Sequence, residues 1–264
     1  MHKKFGDTLV EVALAIGIFS LVAIVVVSVI SASTSGAQTA LEVTITREDL
    51  DAQAEALRFI HDSYVSGSQS RDTSQNNYYN LWKAVTEKAM DGNAVSDEII
   101  TFNPSSCSEL YDQSSPGELR TGLGNPFVIN TRQLGNPDNE KNIVISSGGT
   151  GSQKVFYEAS TFPRILYGGR TASADSIGED YDTQANYEGA DYIKRVEGIY
   201  IIAVKDKGST IVSGGGGNSS ITIDKNKPAY YDFYIRSCWI PPGKDKPSTI
   251  STVIRLYDPA VIEY

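Results

Sequence analysis

The stretch MHKKFGDTLVEVALAIGIFSLVAIVVVSVI (Met1–Ile30) decides how the rest of the chain has to be built. A basic leader carrying Lys3 and Lys4 ends in Gly6, Asp7-Thr8-Leu9-Val10-Glu11 follows, and an uncharged apolar run begins. Of the 19 residues from Val12 to Ile30, only Gly17, Ser20 and Ser28 fall outside the apolar set. At 1.5 Å rise per residue, a helix over this run spans about 28 Å, close to the hydrocarbon thickness of a bilayer. One carboxylate, Glu11, stands at its mouth and needs an explanation.

A secretory signal would make Ser31-Ala32-Ser33 the cleavage site, but the apolar run is longer than a signal's apolar region and Glu11 follows the leader closely. A plain single-pass anchor would leave Glu11 wet at headgroup level. The third explanation makes Gly6 and Glu11 one device. Cleavage after Gly6 turns Glu11 into the fifth residue of the mature chain. Its carboxylate is then one helical turn from a new α-ammonium on Asp7, or close to that of a neighbouring subunit. Pairing those charges in a low-dielectric layer would set the register of subunit docking.

Lys-Phe-Gly before Asp-Thr-Leu-Val-Glu, leading into a long apolar helix, resembles the prepilin leader of type IV pilins and of the pseudopilins of type II secretion and DNA-uptake systems. The resemblance covers about thirty residues. It implies Gly6 as the cleavage residue, Asp7 as the new and, in that family, methylated N-terminus, and Glu11 as the assembly carboxylate. Two departures are visible: Asp7 stands where the family commonly has Phe, and a helix-bending Pro is missing from the stem. By the same resemblance the partners are a prepilin peptidase, other pilin subunits through the N-terminal helix, and an inner-membrane assembly platform.

Composition suits an exported product. The chain has 264 residues, enough for a stem and one sizeable domain. Taking the two leader lysines from 23 basic residues leaves 21 against 32 acidic ones, a mature charge of −11. Such a surface argues against non-specific binding along phosphate backbones, and no specific nucleic-acid site is evident. Lysines on one side of the span place the N-terminus in the cytoplasm and the remainder outside.

Residues 31–36 are small and polar, and helical periodicity returns from Thr39. Leu50, Ala54, Leu57, Ile60 and Tyr64 recur at spacings of three and four, which predicts one long helix from Asp7 to about Val65, lipid-embedded first and amphipathic afterwards, ended by Gly67. A second short helix over 76–91 is expected from Tyr78, Leu81, Trp82, Val85 and Ala89, with Asn76 or Asn77 as cap and Gly92 as stop. From about Val95 the period changes to short β-branched or aromatic runs: 98–102, 127–130, 142–146, 154–158, 164–167, 198–204 and 219–223.

Two later runs alternate most clearly. In 229–239, Tyr231, Phe233, Ile235 and Trp239 point one way and Asp232, Tyr234 and Arg236 the other. In 249–258, Ile250, Thr252, Ile254 and Leu256 alternate with Ser251, Val253, Arg255 and Tyr257, and Pro241-Pro242-Gly243 marks the intervening connection. Residues 168–191 and 213–220 interrupt the pattern as long polar loops. The expected architecture is α+β and pilin-like: a leader (1–6), a membrane and assembly helix (7–30), its amphipathic continuation (31–66), and an extracellular domain (67–264) whose antiparallel sheet the helix packs on.

Catalytic constellations are absent from the sequence. It holds no His-Glu-x-x-His, no Cys-x-x-Cys and no Gly-rich loop ending in Gly-Lys-Ser/Thr. His61 reads as a solvated or packed histidine, and Asp175, Glu179, Asp180 and Asp182 read as a solvated acidic loop without calcium-loop spacing. Asn218-Ser219-Ser220 fits a glycosylation pattern weakly. The chain is therefore expected to be non-enzymatic and to carry no cofactor and no metal. The two cysteines, Cys107 and Cys238, are expected to form a disulfide in the oxidising exterior, the alternative being two unrelated buried thiols.

The expected function is that of a minor pilin or pilin-like subunit of a type IV filament serving adhesion, motility or DNA uptake, with a possible surface ligand. A secretion-type pseudopilin and a membrane-anchored binding domain that never polymerises are the alternatives. Localisation follows: a single-pass cytoplasmic-membrane protein before assembly, then a cell-surface filament.

Overall fold

The computed structural model describes residues 5–68, 77–92, 101–112, 118–135, 143–146, 156–169, 190–206 and 230–258. Its first element is a single helix, α1 (Phe5–Ser68), unbroken through the small polar stretch at 31–36. It starts at Phe5, ahead of the expected start at Asp7, and runs one residue past Gly67. The chain divides into two compact units, residues 1–45 and 46–264, so the division falls inside α1 rather than at its end.

In the first unit four hydroxyls find their acceptors within the helix. Ser20 Oγ donates to the Ile16 carbonyl at 2.8 Å, and Thr34, Thr39 and Thr44 bond the carbonyls of Ile30, Ser35 and Ala40 in the same way. A hydroxyl bonded four residues back adds little polar surface to an apolar helix.

The second unit is α+β, with helix packed on a largely antiparallel sheet. After α2 (Asn77–Thr86) come β1 (Met90–Asp91), β2 (Phe127–Ile129), β3 (Val144–Ser146), β4 (Phe156–Tyr157), β5 (Arg164–Gly169), β6 (Ala190–Glu197), β7 (Ile199–Lys205), β8 (Tyr230–Trp239) and β9 (Ser248–Tyr257). The main sheet has the order β3-β2-β7-β8-β9, every neighbour antiparallel, with β1 added parallel to β7. A smaller sheet, β4-β6-β5, forms a separate layer.

One face of the main sheet receives the helices. Leu50, Ala54, Leu57, Ile60 and Tyr64 of α1 and Leu81, Trp82 and Val85 of α2 share a core with Phe127, Ile201, Phe233, Ile235 and Ile254. Trp82 stacks on Tyr64 and meets Tyr231 edge-on. The α1 stripe thus packs as its periodicity predicts. The second helix is shorter than expected: it ends at Thr86, and Met90 and Asp91 leave it to pair with Val204 and Lys205.

The opposite face of the main sheet is also covered, by the smaller sheet and the segment around Cys107. Val128, Ile145, Tyr200 and Ile202 pack there against Leu110, Leu123, Phe156, Ile193 and Val196. This explains why β7 is an uninterrupted apolar run: a strand buried on both faces has no solvent side to alternate with. It also changes the surroundings of Arg236. Alternation along β8 holds, but the second face is interior, and Arg236 is fully buried.

Gly198 makes the two-layer arrangement possible. It joins β6 of the small sheet to β7 of the large one with φ of +66°, and a Cβ there would lie 2.7 Å from the Cys238 carbonyl and 2.9 Å from the Ala159 side chain. Only glycine adopts that backbone without strain and leaves that space.

The strands expected at 127–130, 142–146 and 154–158 are present in trimmed form, the one at 164–167 runs on to Gly169, and the one at 198–204 is displaced by one residue. Strand β6 begins in the last two residues of the stretch read as a loop, 168–191, and continues through residues assigned to no strand; the strand expected at 98–102 is not one in its described part, 101–102, where Phe102 has φ of +40°. The expected strand at 219–223, the Gly-rich segments at 148–151 and 214–217, the glycosylation pattern at 218–220 and the acidic positions Asp175, Glu179, Asp180 and Asp182 lie outside the described residues.

Candidate functional site

The residues singled out at the N-terminus share one helix. Gly6, Asp7 and Glu11 all lie in α1, and Asp7 and Glu11 are four positions, about one helical turn, apart along it. Glu11 is exposed. So are the large apolar residues that follow it as far as Ile30: Leu14, Ile18, Phe19, Leu21, Val25 and Ile30 all show about half or more of their surface. The helix is long and apolar enough to cross a membrane. Apolar surface of this extent, wrapped around the whole circumference of a helix, has to be removed from water by lipid or by protein.

The other predicted pair meets. Cys107, in a 3-10 helix (Cys107–Leu110), and Cys238, on β8, form a disulfide with Cα atoms 5.6 Å apart, closing a sequence separation of 131. Both are fully buried. In the chain-entropy picture a closure of that size contributes about 5 kcal/mol, strain ignored. Beside it lies a layer of rings and guanidinium that the sequence did not disclose. The Arg236 guanidinium is 4.5 Å from the Phe102 ring and 5.1 Å from that of Tyr234. The Tyr200 hydroxyl faces it, and burial pulls the Arg236 pKa down from its ordinary value. Flat guanidinium between aromatic faces is a packing solution that lysine could not supply. The Phe102 backbone, in the left-handed region, brings its ring onto Arg236 and holds the Cys107 segment against the sheet.

His61 is a structural residue. Its Nε2 donates to the Tyr257 carbonyl at 2.8 Å, its ring meets Trp82 at 5.1 Å, and Nδ1 lies 3.1 Å from an Asp62 carboxylate oxygen. It ties α1 to the end of β9.

Two polar residues of α1 escaped sequence reasoning. Gln53 is buried, and its amide donates to the Ile129 carbonyl at 2.9 Å and accepts from the Ile129 N–H at 2.8 Å. It acts as one more rung beside β2, which pairs with β7 only at Phe127. Asp49 is half-buried, and that burial, with the Glu48 charge next to it, pushes its carboxyl from the ordinary 3.8 up to about 6. Their signal was positional: Thr46, Leu50, Gln53, Leu57, Ile60 and Tyr64 continue one stripe at spacings of four and three, so a glutamine on it is interior.

In the smaller sheet Glu197 is enclosed by two arginines. Arg164 Nε donates to it at 2.9 Å and Arg195 Nη2 to its other oxygen. Arg195 also lies over the Tyr157 ring. A carboxylate taken this far from water needs two charge-assisted partners, and here it has them.

A shallow cleft between α2 and β3 is lined by Ala84, Glu87, Lys88, Asn125 and Ser146, where Glu87 is engaged by Lys83 at 3.6 Å. Among the described residues no three His, Cys, Asp or Glu side chains converge on a point that could hold a metal ion. The positions of strongest chemical interest are therefore the exposed apolar helix with Glu11 at its head and the disulfide-braced domain. No family model, curated protein or solved structure matches this chain.

Proposed function

We propose that this chain is a structural subunit of a type IV filament, a minor pilin or pilin-like protein, released from its leader between Gly6 and Asp7 by a prepilin peptidase. The observation that carries the reading is the apolar helix surface of residues 9–30, exposed all round, with a single carboxylate at its head. The helix waits in the membrane, N-terminus inside, and passes through an inner-membrane assembly platform into a bundle of like helices. Lipid and neighbouring helices are comparably apolar, so the exchange changes the free energy little and suits reversible assembly. Glu11, paired with the α-ammonium of Asp7 in its own or a neighbouring subunit, sets the register. The disulfide-braced sheet domain is carried outside, where its loops are available for adhesion or for contact with DNA-uptake partners.

Mass spectrometry of the mature N-terminus tests this directly. A start at Asp7 supports the filament, an intact leader indicates a membrane-anchored domain, and a start near Thr34 indicates secretion. Glu11→Ala should leave membrane insertion intact while reducing incorporation into filaments; normal incorporation would sink the register argument.

A further inference from the structure

We propose that the outer edge of β9 pairs with the β9 of a second copy of this chain, as an antiparallel ladder about a two-fold axis at Val253. The sheet order leaves β9 at an edge, and β8 pairs with all of Ser248–Tyr257 on its inner side. Among the described residues no strand pairs with its outer side, to which the odd-numbered residues turn their N–H and C=O groups; the last of these, the Tyr257 carbonyl, accepts from His61 Nε2 at 2.8 Å, so the free rungs are those of Thr249 to Arg255.

Long edge strands are usually guarded by proline, lysine, a bulge or shortness. Within its ten residues β9 has no proline and no lysine, and its register with β8 runs without a shift from Ser248 to Tyr257. Its one charge is turned away from guard duty. Arg255 donates from Nε and Nη2 to the two Asp232 oxygens at 2.7 and 2.8 Å and lies 3.9 Å over the Tyr230 ring, back across β8.

The partner has to offer an edge of matching length. The opposite edge of this sheet, β3, has three residues and cannot. A second β9 can. Because directly opposed residues must share a face, only alternate registers are open. Centring on Val253 overlaps residues 249–257, about 30 Å of strand. It sets Val253 against its own copy, Tyr257 against Thr249, and Ile250 against Leu256. Val253 and Tyr257 are the two large apolar residues left open on that strand, at 51% and 63% exposure. The same register places each Arg255 opposite Ser251, so no like charges meet. The axis is perpendicular to the sheet, so residues 46–68 of the two copies run in opposite senses. The contact therefore joins copies approaching from opposite sides, and it stands independently of the filament reading.

Disulfide trapping on the full-length chain in detergent tests the register. Val253→Cys should form a covalent homodimer under mild oxidation, because the two thiols face each other across the axis. Tyr257→Cys alone should stay monomeric, since its two copies would be about 27 Å apart. Adding Thr249→Cys to Tyr257→Cys should restore crosslinking. Equal crosslinking of Val253→Cys and Tyr257→Cys, which clustering through the apolar helices would give, overturns the proposal. So does a Val253→Cys protein that remains monomeric or is trapped by a different protein.

Discussion

The two halves of α1 differ in how apolar they are, 18 of 22 residues at 9–30 against 9 of 23 at 46–68, and their large side chains meet opposite fates. Over residues 9–30 the large side chains are exposed all round, Leu21 to 66%, and among the described residues none of them joins a core. Over residues 46–68 Leu50, Leu57 and Ile60 are sealed against the sheet, while Glu48, Asp51, Glu55 and Asp62 remain outside. The backbone is the same α-helix throughout. The difference is angular: a stripe can be covered by one sheet face, whereas a full circumference requires a surrounding medium.

Substitutions that ignore this difference should separate the halves. Leu57→Ala should lower the stability of the globular unit by about 2–5 kcal/mol, through lost burial and the cavity left behind, whereas Leu21→Ala should leave its unfolding midpoint unchanged. Denaturant unfolding followed by the near-ultraviolet signal of Trp82 and Trp239 reads both. Equal effects would mean that the helix is one energetic element and would erase the comparison.

Gln53→Leu sharpens the same contrast within the buried half. It keeps the volume approximately but leaves the Ile129 N–H and carbonyl without their side-chain partner, at roughly 1–3 kcal/mol for each group. The expected result is a destabilisation of about 3 kcal/mol, together with faster hydrogen exchange at the Ile129 amide than at Ile201. Unchanged exchange at Ile129 would show that this rung is dispensable.

The smallest effect concerns pH. Since Asp49 is raised from 3.8 to about 6 in the folded protein, the native state holds its proton more tightly than the unfolded chain does. Its contribution is therefore favourable at low pH and is lost as pH rises from about 4 through about 6. Asp49→Asn should flatten that slope, matching the parent below pH 4 and exceeding its melting temperature modestly at pH 7. A parent slope that persists in the variant would assign it to another group.

How far the fold was legible depends on whether the pattern in question is local. The α1 stripe from Leu50 to Tyr64 and the alternation of β9 follow from spacing alone, because each records a single face against a single core. Strand β6 was not legible. In Ala190–Glu197 a charged residue and an apolar one share faces irregularly, since Glu197 is neutralised by Arg164 across the ladder and Arg195 beside it. Arg236 was not legible either: a guanidinium on an alternating strand reads as solvated until a second layer covers it. For the candidate site, Gly6 and Glu11 are visible as residue types at a set spacing and the cysteine pair from its even count, while Gln53 is visible only once the stripe is known to be buried.

By itself the sequence determined that a long helix begins the chain, that its first part is apolar all round and its second part a stripe, and that an alternating sheet follows. These are consequences of periods of 3.6 and 2, which need no partner to be read. Only the tertiary structure decided that the main sheet is covered on both faces, that Gly198 passes the chain between layers, and that β9 is left at an edge. Those outcomes depend on which distant segments meet, and a contact such as Gln53 with Ile129 leaves no trace in local spacing.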